Sequence, residues 1–205
     1  MAISTTTPDF SAIKGRQRAT WASGDYQVIA AIIMPSAERL CDSIELRAGE
    51  HVLDVATGSG NAAIAAARRL CTVTGVDYVE ALLERGRLRA EAEGLPVTFQ
   101  LGDAENLPIP DSSFDVVLST FGVMFAPDQE RVASELLRVV KGGGRIGLAS
   151  WTPDGWIGAM LKVVSRYVPP PPGTRPSLRW GTEDGIRELL DGATTSLQAR
   201  RERFV

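Results

Sequence analysis

Three acids and one glycine turn carry most of the chemistry this sequence can do. The stretch His51-Val52-Leu53-Asp54-Val55-Ala56-Thr57-Gly58-Ser59-Gly60-Asn61-Ala62-Ala63 reads as a buried strand, a turn and an alanine-rich helix start. Gly58 and Gly60 allow backbone angles that other residues resist, and they let a ligand approach the main chain closely. From Gly58 to Ala63 the chain satisfies G-x-G-x-x-A, the alanine form of the dinucleotide pattern. Asp77 follows seventeen residues after Gly60, near the ~20 expected of an acid that binds a ribose. An NAD(P)-dependent oxidoreductase is therefore one reading of the turn.

Asp54 points elsewhere. It sits where the first strand enters the turn, so a pyrophosphate there would meet a fixed negative charge in a poorly hydrated place. A ligand carrying an ammonium group would be attracted instead. S-adenosylmethionine is such a ligand, with a methionine ammonium, a sulfonium and no phosphate. Asp77 can accept hydrogen bonds from both ribose hydroxyls. Asp103, in Gly102-Asp103-Ala104, can accept one from the adenine amino group. Plainer roles exist for these acids: a helix N-cap for Asp77 and a turn residue for Asp103. Their placement at three successive strand ends favours one shared ligand.

The elements that must position these groups alternate along the chain. Strands are expected at residues 51–56, 72–77, 97–101, 114–119 and 145–150. Helices are expected at 61–70, 78–93 and 128–140. Such alternation predicts a parallel sheet with helices on both faces, and ligands of such sheets lie beyond the carboxyl ends of the strands. Before the sheet, residues 1–12 read as a loose arm. A polar run with Trp21 and Tyr26 follows, then a helix from Tyr26 to about Asp42 that Pro35 should kink or split. After the sheet come a helix at 156–168, the stiff run Pro169-Pro170-Pro171-Pro172-Gly173, a helix from Glu183 to Leu190 capped by Thr182, and one last strand near 195–205. The domain reading is an N-terminal arm with cofactor-covering helices (1–44), a binding core (45–152) and a C-terminal acceptor cover (153–205).

Composition narrows the class. The 205 residues suit one domain with a sizeable core. A formal net charge of −3 does not favour nucleic acid as a partner. The basic runs at 85–89 and 200–203 read as solvated faces. Cys41 and Cys71 lack metal-ligand spacing and read as reduced core thiols of a cytoplasmic protein; no metal is expected. No apolar run approaches the ~18 residues of a membrane span. His51, the only histidine, begins the first strand at the end away from the turn, so it is not the expected catalyst. No catalytic residue can be singled out, although Glu105 or Tyr26 could reach a substrate.

Val52-Leu53-Asp54-Val55-Ala56-Thr57-Gly58-Ser59-Gly60 resembles the first motif of the class I S-adenosylmethionine-dependent methyltransferases. Gly75-Val76-Asp77 resembles their second. Gly102-Asp103-Ala104-Glu105-Asn106-Leu107-Pro108 and Phe114-Asp115-Val116-Val117 resemble the third and fourth. The run 136–144 resembles the helix and glycine turn before their fifth strand. Small-molecule enzymes of the ubiquinone and menaquinone biosynthesis type are the most similar group. The resemblance implies a Rossmann-like, doubly wound, mostly parallel α/β sheet and a small-molecule methyl acceptor, with a homo-oligomer as an open possibility. It implies that Asp54, Ala56, Thr57, Gly58 and Gly60 hold the methionine end of S-adenosylmethionine. Asp77 and Tyr78 would lie at the ribose, and Gly102, Asp103, Ala104 and Glu105 at the adenine. Ser119, Thr120 and Phe121 would lie beside the cofactor, and Trp21 and Tyr26 above it. Two departures stand out: Ala56-Thr57 occupies the place of a frequent Gly-Cys pair, and the usual seventh strand is missing. A non-catalytic cofactor-binding protein on the same fold is a further reading.

Overall fold

The computed structural model describes residues 8–190 and 192–203. Five strands, β1 (His51–Val55), β2 (Thr72–Asp77), β3 (Val97–Leu101), β4 (Phe114–Thr120) and β5 (Val140–Ala149), form one sheet in the order β3-β2-β1-β4-β5. Every pairing is parallel. The order reverses between β1 and β4, and in sheets of this kind the ligand crevice lies at that switch point, beyond the carboxyl ends of the strands.

Period-two alternation along β1 assigns the two faces. Val52 belongs to a core built with helices α2 (Tyr26–Ser43), α3 (Asn61–Arg68) and α4 (Glu80–Ala92). Leu53 and Val55 join the opposite core, which includes Val132, Leu136 and Val139 of α5 (Gln129–Val139), Trp180, and Leu189 and Leu190 of α7 (Glu183–Leu190). Local chemistry sets the helix starts. Asp128 Oδ1 accepts from the Arg131 N–H at 3.0 Å to begin α5. Thr182 Oγ1 accepts from Gly185 N–H at 3.1 Å to begin α7.

Phe99 organises the first core. An added Cβ at Gly60, Gly75 or Gly86 would fall 2.8, 3.2 or 2.7 Å from its ring. The ring therefore occupies a slot walled by the glycine turn, β2 and α4, and only residues without a side chain can line it.

Four expectations meet corrections. The segment expected to be loose to residue 12 is helical from Phe10, in α1 (Phe10–Ser23), because Asp9 caps it by accepting from Ala12 N–H at 3.0 Å. Of the kink or split expected at Pro35, the split does not occur: α2 runs on, with Pro35 exposed and Ser36 Oγ donating to the Ile33 carbonyl in the turn before it. The strand expected near 195–205 does not form between 192 and 203; Phe204 and Val205 lie outside the described residues. That stretch offers only Leu197 as a partly buried apolar side chain. Ion pairs of Arg201 with Asp154 (2.6 Å) and Glu202 with Arg39 (3.0 Å) lay it on the surface instead. The described sheet is therefore wholly rather than mostly parallel, and neither a sixth nor a seventh strand is among the described residues.

Replacing Phe99 by Ala should empty the three-glycine slot and cost about 3 kcal/mol of stability. Urea denaturation would measure it, and a loss below about 1 kcal/mol would show that the slot collapses.

Candidate functional site

The site grows from the end of β1. Asp54 is 1% exposed, and Asp54 Oδ2 accepts from Thr57 Oγ1 at 2.5 Å and from the Ala63 N–H at 2.9 Å. Its other oxygen, Oδ1, is buried without a hydrogen-bond partner. Burial raises its carboxyl to about 7, against the two hydrogen bonds and with a contribution from Asp77. A buried carboxylate oxygen left bare is costly unless a donor or cation meets it.

Thr57 reaches Asp54 because β2 has no side chain in the way: a Cβ at Gly75 would lie 2.9 Å from Thr57 Oγ1. Gly58 and Gly60 both have left-handed backbone, with φ of 57° and 85°. A Cβ on Gly58 would meet nothing within 4 Å, so the main chain there is open to a close approach. Ala56 also has left-handed backbone, at φ 54°. The alanine that replaces the frequent glycine thus carries strain of roughly 1 kcal/mol.

Asp77 faces the turn from the end of β2. Its Oδ2 accepts from Gly58 N–H at 2.8 Å and its Oδ1 from Val79 N–H at 2.9 Å. Burial pushes its carboxyl up, while these N–H groups pull it down. Each oxygen keeps a second lone pair for a hydroxyl. The capping alternative holds in part: Oδ1 takes the Val79 N–H at the start of α4, while Oδ2 is committed to the glycine turn.

Beyond β3, Asp103 accepts the Glu105 N–H at 3.0 Å, closing the turn Gly102–Asn106. Gly102 N–H donates to the Asp77 carbonyl at 2.9 Å, and Ala104 packs against the core. Glu105 is buried and accepts the Asp128 N–H at 2.9 Å. It is thereby a structural anchor as well as a wall of the site.

Past β4 the picture divides. Ser119 is fully buried, donates to the Val55 carbonyl at 2.8 Å and accepts the Val123 N–H at 3.3 Å. Its hydroxyl is spent on joining β4 to β1. Phe121, with φ 61°, stacks on Trp151 at 3.9 Å between centroids and 7° between planes. Thr120 Oγ1 is buried and unpartnered.

Helix α1 bridges the ends of β2, β3 and β4. Lys14 Nζ donates to Asp103 Oδ2 at 2.6 Å and Glu105 Oε2 at 2.7 Å. Burial works to lower its ammonium, but the two carboxylates together hold it above its usual range. Gln17 donates to the Phe125 carbonyl at 2.8 Å. Trp21 lies 5.3 Å from the Phe125 ring and 5.1 Å from Tyr26, and Arg18 sits 5.3 Å over Tyr78. Burial raises the Tyr78 hydroxyl to about 12.

Two participants escaped the sequence reading. Lys14 meets its acids across some ninety residues of chain, with no local signal. Arg89 was read as part of a solvated basic run, yet it is half-buried. It donates to the Ser59 carbonyl at 2.6 Å, to Ser59 Oγ at 3.2 Å and to Asn61 Oδ1 at 2.9 Å, holding the glycine turn from below. The spacing Leu83-Gly86-Ala90 marks the inner face of α4 and was the available clue. No group of three potential metal ligands occurs among the described residues.

Comparison with known proteins agrees with this geometry. Residues 53–148 match the family model described as a methyltransferase domain. The Mycobacterium tuberculosis protein Rv1403c is 40% identical over 203 residues, covering 98% of this chain and 74% of that protein. A demethylmenaquinone methyltransferase from Deinococcus radiodurans is 38% identical over 124 residues, covering 58% of this chain and 52% of that one. Among solved structures, the BH2331 protein of Bacillus halodurans has a TM-score of 0.61 and 28% identity, over 77% of this chain and 67% of that one.

Changing Lys14 to Gln should release α1 from the loop at 103–105. Hydrogen exchange across α1 should rise roughly tenfold, matching about 1 kcal/mol of lost local stability. Unchanged exchange would mean that Gln17 and Trp21 hold the helix alone.

Proposed function

We propose that this chain transfers the methyl group of S-adenosylmethionine to a small-molecule acceptor. The chain belongs to the class I S-adenosylmethionine-dependent methyltransferases, by its domain match and its 38% identity over 124 residues to the demethylmenaquinone methyltransferase of D. radiodurans. The observation that carries the site assignment is the bare, buried oxygen of Asp54, on the strand that leads into the open backbone of Gly58. An ammonium answers that oxygen; a pyrophosphate does not.

The residues present fit the cofactor. Asp54, Thr57 and Gly58 would hold its amino-acid end, Asp77 and Tyr78 its ribose, and Gly102, Asp103 and Ala104 its adenine. When bound, S-adenosylmethionine supplies a methyl group on a positively charged sulfur that leaves as a neutral thioether. The protein's share is then alignment and exclusion of water. Arg89 fixes the turn from below, and α1, through Lys14, Gln17 and Trp21, shields the crevice from above. Ser119 and Phe121 serve this arrangement as framework: one joins β4 to β1, and the other turns away to Trp151. The name of the D. radiodurans relative places a demethylmenaquinone-like acceptor first in any substrate panel.

Asp77→Ala should weaken S-adenosylhomocysteine binding roughly a hundredfold in isothermal titration, since a charged acceptor of two hydrogen bonds is lost. Wild-type affinity in the variant would remove Asp77 from the site.

The folded value of Asp54 lies above the ordinary carboxylate value, so between the two the folded state holds the extra proton. Stability of the ligand-free protein should therefore fall as pH rises through about 4 to about 7. Affinity for the ammonium should move the opposite way, rising up to about tenfold per pH unit below pH 7. Asp54→Asn should flatten both trends; a pH-dependent affinity that survives it would refute the assignment.

A further inference from the structure

Helix α6 (Trp156–Tyr167) leaves the core directly after β5, and most of it stands in solvent. Its exposed side includes Trp156 (77%), Met160, Val163, Val164 and Tyr167 (83%), continued by Val168. At 100° per residue these side chains make one stripe, while Ile157, Gly158 and Leu161 face the protein. Large apolar stripes on a surface mark an interaction site.

Charge indicates what lies against it. From Trp156 to Thr182 the chain contains Lys162, Arg166, Arg175 and Arg179 and no Asp or Glu, in a protein of net charge −3. Arg179 is occupied by Glu130 and Glu188. Lys162 and Arg166 are exposed, one helical turn apart on the polar side of the helix, with Arg166 nearer the stripe. Asp154, the acid nearest to the helix start, is neutralised by Arg201 at 2.6 Å.

We infer that α6 is a docking surface for an anionic lipid bilayer. The stripe would enter the headgroup boundary with the helix in the plane of the surface. Trp156 and Tyr167 would sit at its two ends at interfacial depth, and Lys162 and Arg166 would meet lipid phosphates. A helix of 12 residues cannot cross a bilayer but can lie in its surface. A second copy of the chain fits less well. A two-fold contact through the same stripe would bring the Arg166 side chains of the two copies near one another, with no acid on the segment to balance them. The stripe is tethered to the site through Trp151, which stacks on Phe121. Docking would therefore set the crevice beside the bilayer, whichever acceptor it takes.

Co-sedimentation of the full chain with large unilamellar vesicles tests this without reference to methyl transfer. Vesicles of phosphatidylcholine with about a third phosphatidylglycerol should retain the protein at low salt, and phosphatidylcholine alone should retain far less. Lys162→Glu with Arg166→Glu should reduce binding tenfold or more. Trp156→Ser with Tyr167→Ser should do likewise, with an unchanged circular dichroism spectrum. Three results would each overturn the inference: no retention by anionic vesicles, binding indifferent to the Trp156→Ser/Tyr167→Ser pair, or a dimer in solution that this pair dissolves.

Discussion

Everything around the crevice depends on the burial of one carboxylate. Asp54 lies in the middle strand of the sheet, almost wholly removed from water, where a charge survives only if its oxygens are met. Thr57 and the first turn of α3 meet one of them. The turn between them must then double back tightly, which accounts for the left-handed backbone at Ala56, Gly58 and Gly60. The other oxygen stays buried without a hydrogen-bond partner.

A second ring of residues keeps this turn from relaxing. Gly75 leaves room for Thr57 to reach Asp54, and Phe99 wedges the turn against β2 and α4. Arg89 grips Ser59 and Asn61 from below, and Asn61 in turn donates to the Ala30 carbonyl of α2 at 2.8 Å. Burial lowers the Arg89 guanidinium from its usual range, a cost offset by its bonds to Ser59 and Asn61 and by its contact with Met34 Sδ at 3.8 Å. Rigid support of this kind is what alignment-based catalysis needs, since misplacement of the reacting groups by about 1 Å is expensive.

The upper wall is built differently. Helix α1 is held by polar and aromatic contacts rather than by a deep apolar face; Ile13 is its one buried side chain. A helix with one buried side chain, held mainly by the part-buried ion pairs of Lys14 and a few polar and aromatic contacts, has low local stability. The crevice thus has a rigid floor and a roof fastened at a few points, which suits a site that must admit one ligand and shield it.

The alternation of apolar runs and helix periods was enough to place five strands and the helices between them, because each such run can bury its side chains in only one way. Asp54, Asp77 and Asp103 could be assigned to strand ends on the same ground, and the motifs around them pointed to the methyl donor. Elsewhere sequence spacing was a poor guide. Residues 195–203 look strand-like on paper, yet they find no partner and are drawn to the surface by Asp154 and Arg39. For Ser119 and Phe121, expected beside the cofactor, the sequence did not show that the hydroxyl would bond the Val55 carbonyl and the ring would stack on Trp151. Lys14 carried no signal and Arg89 only the inner-face spacing of α4, because an ion pair or a bond to a carbonyl depends on which distant backbone arrives beside it. Local pattern determined the strands, the turn and the acids, since those follow from the burial and backbone freedom of each residue alone. Only the tertiary structure decided which polar groups remain unspent once neighbours have taken theirs, and it left Asp54 Oδ1 bare.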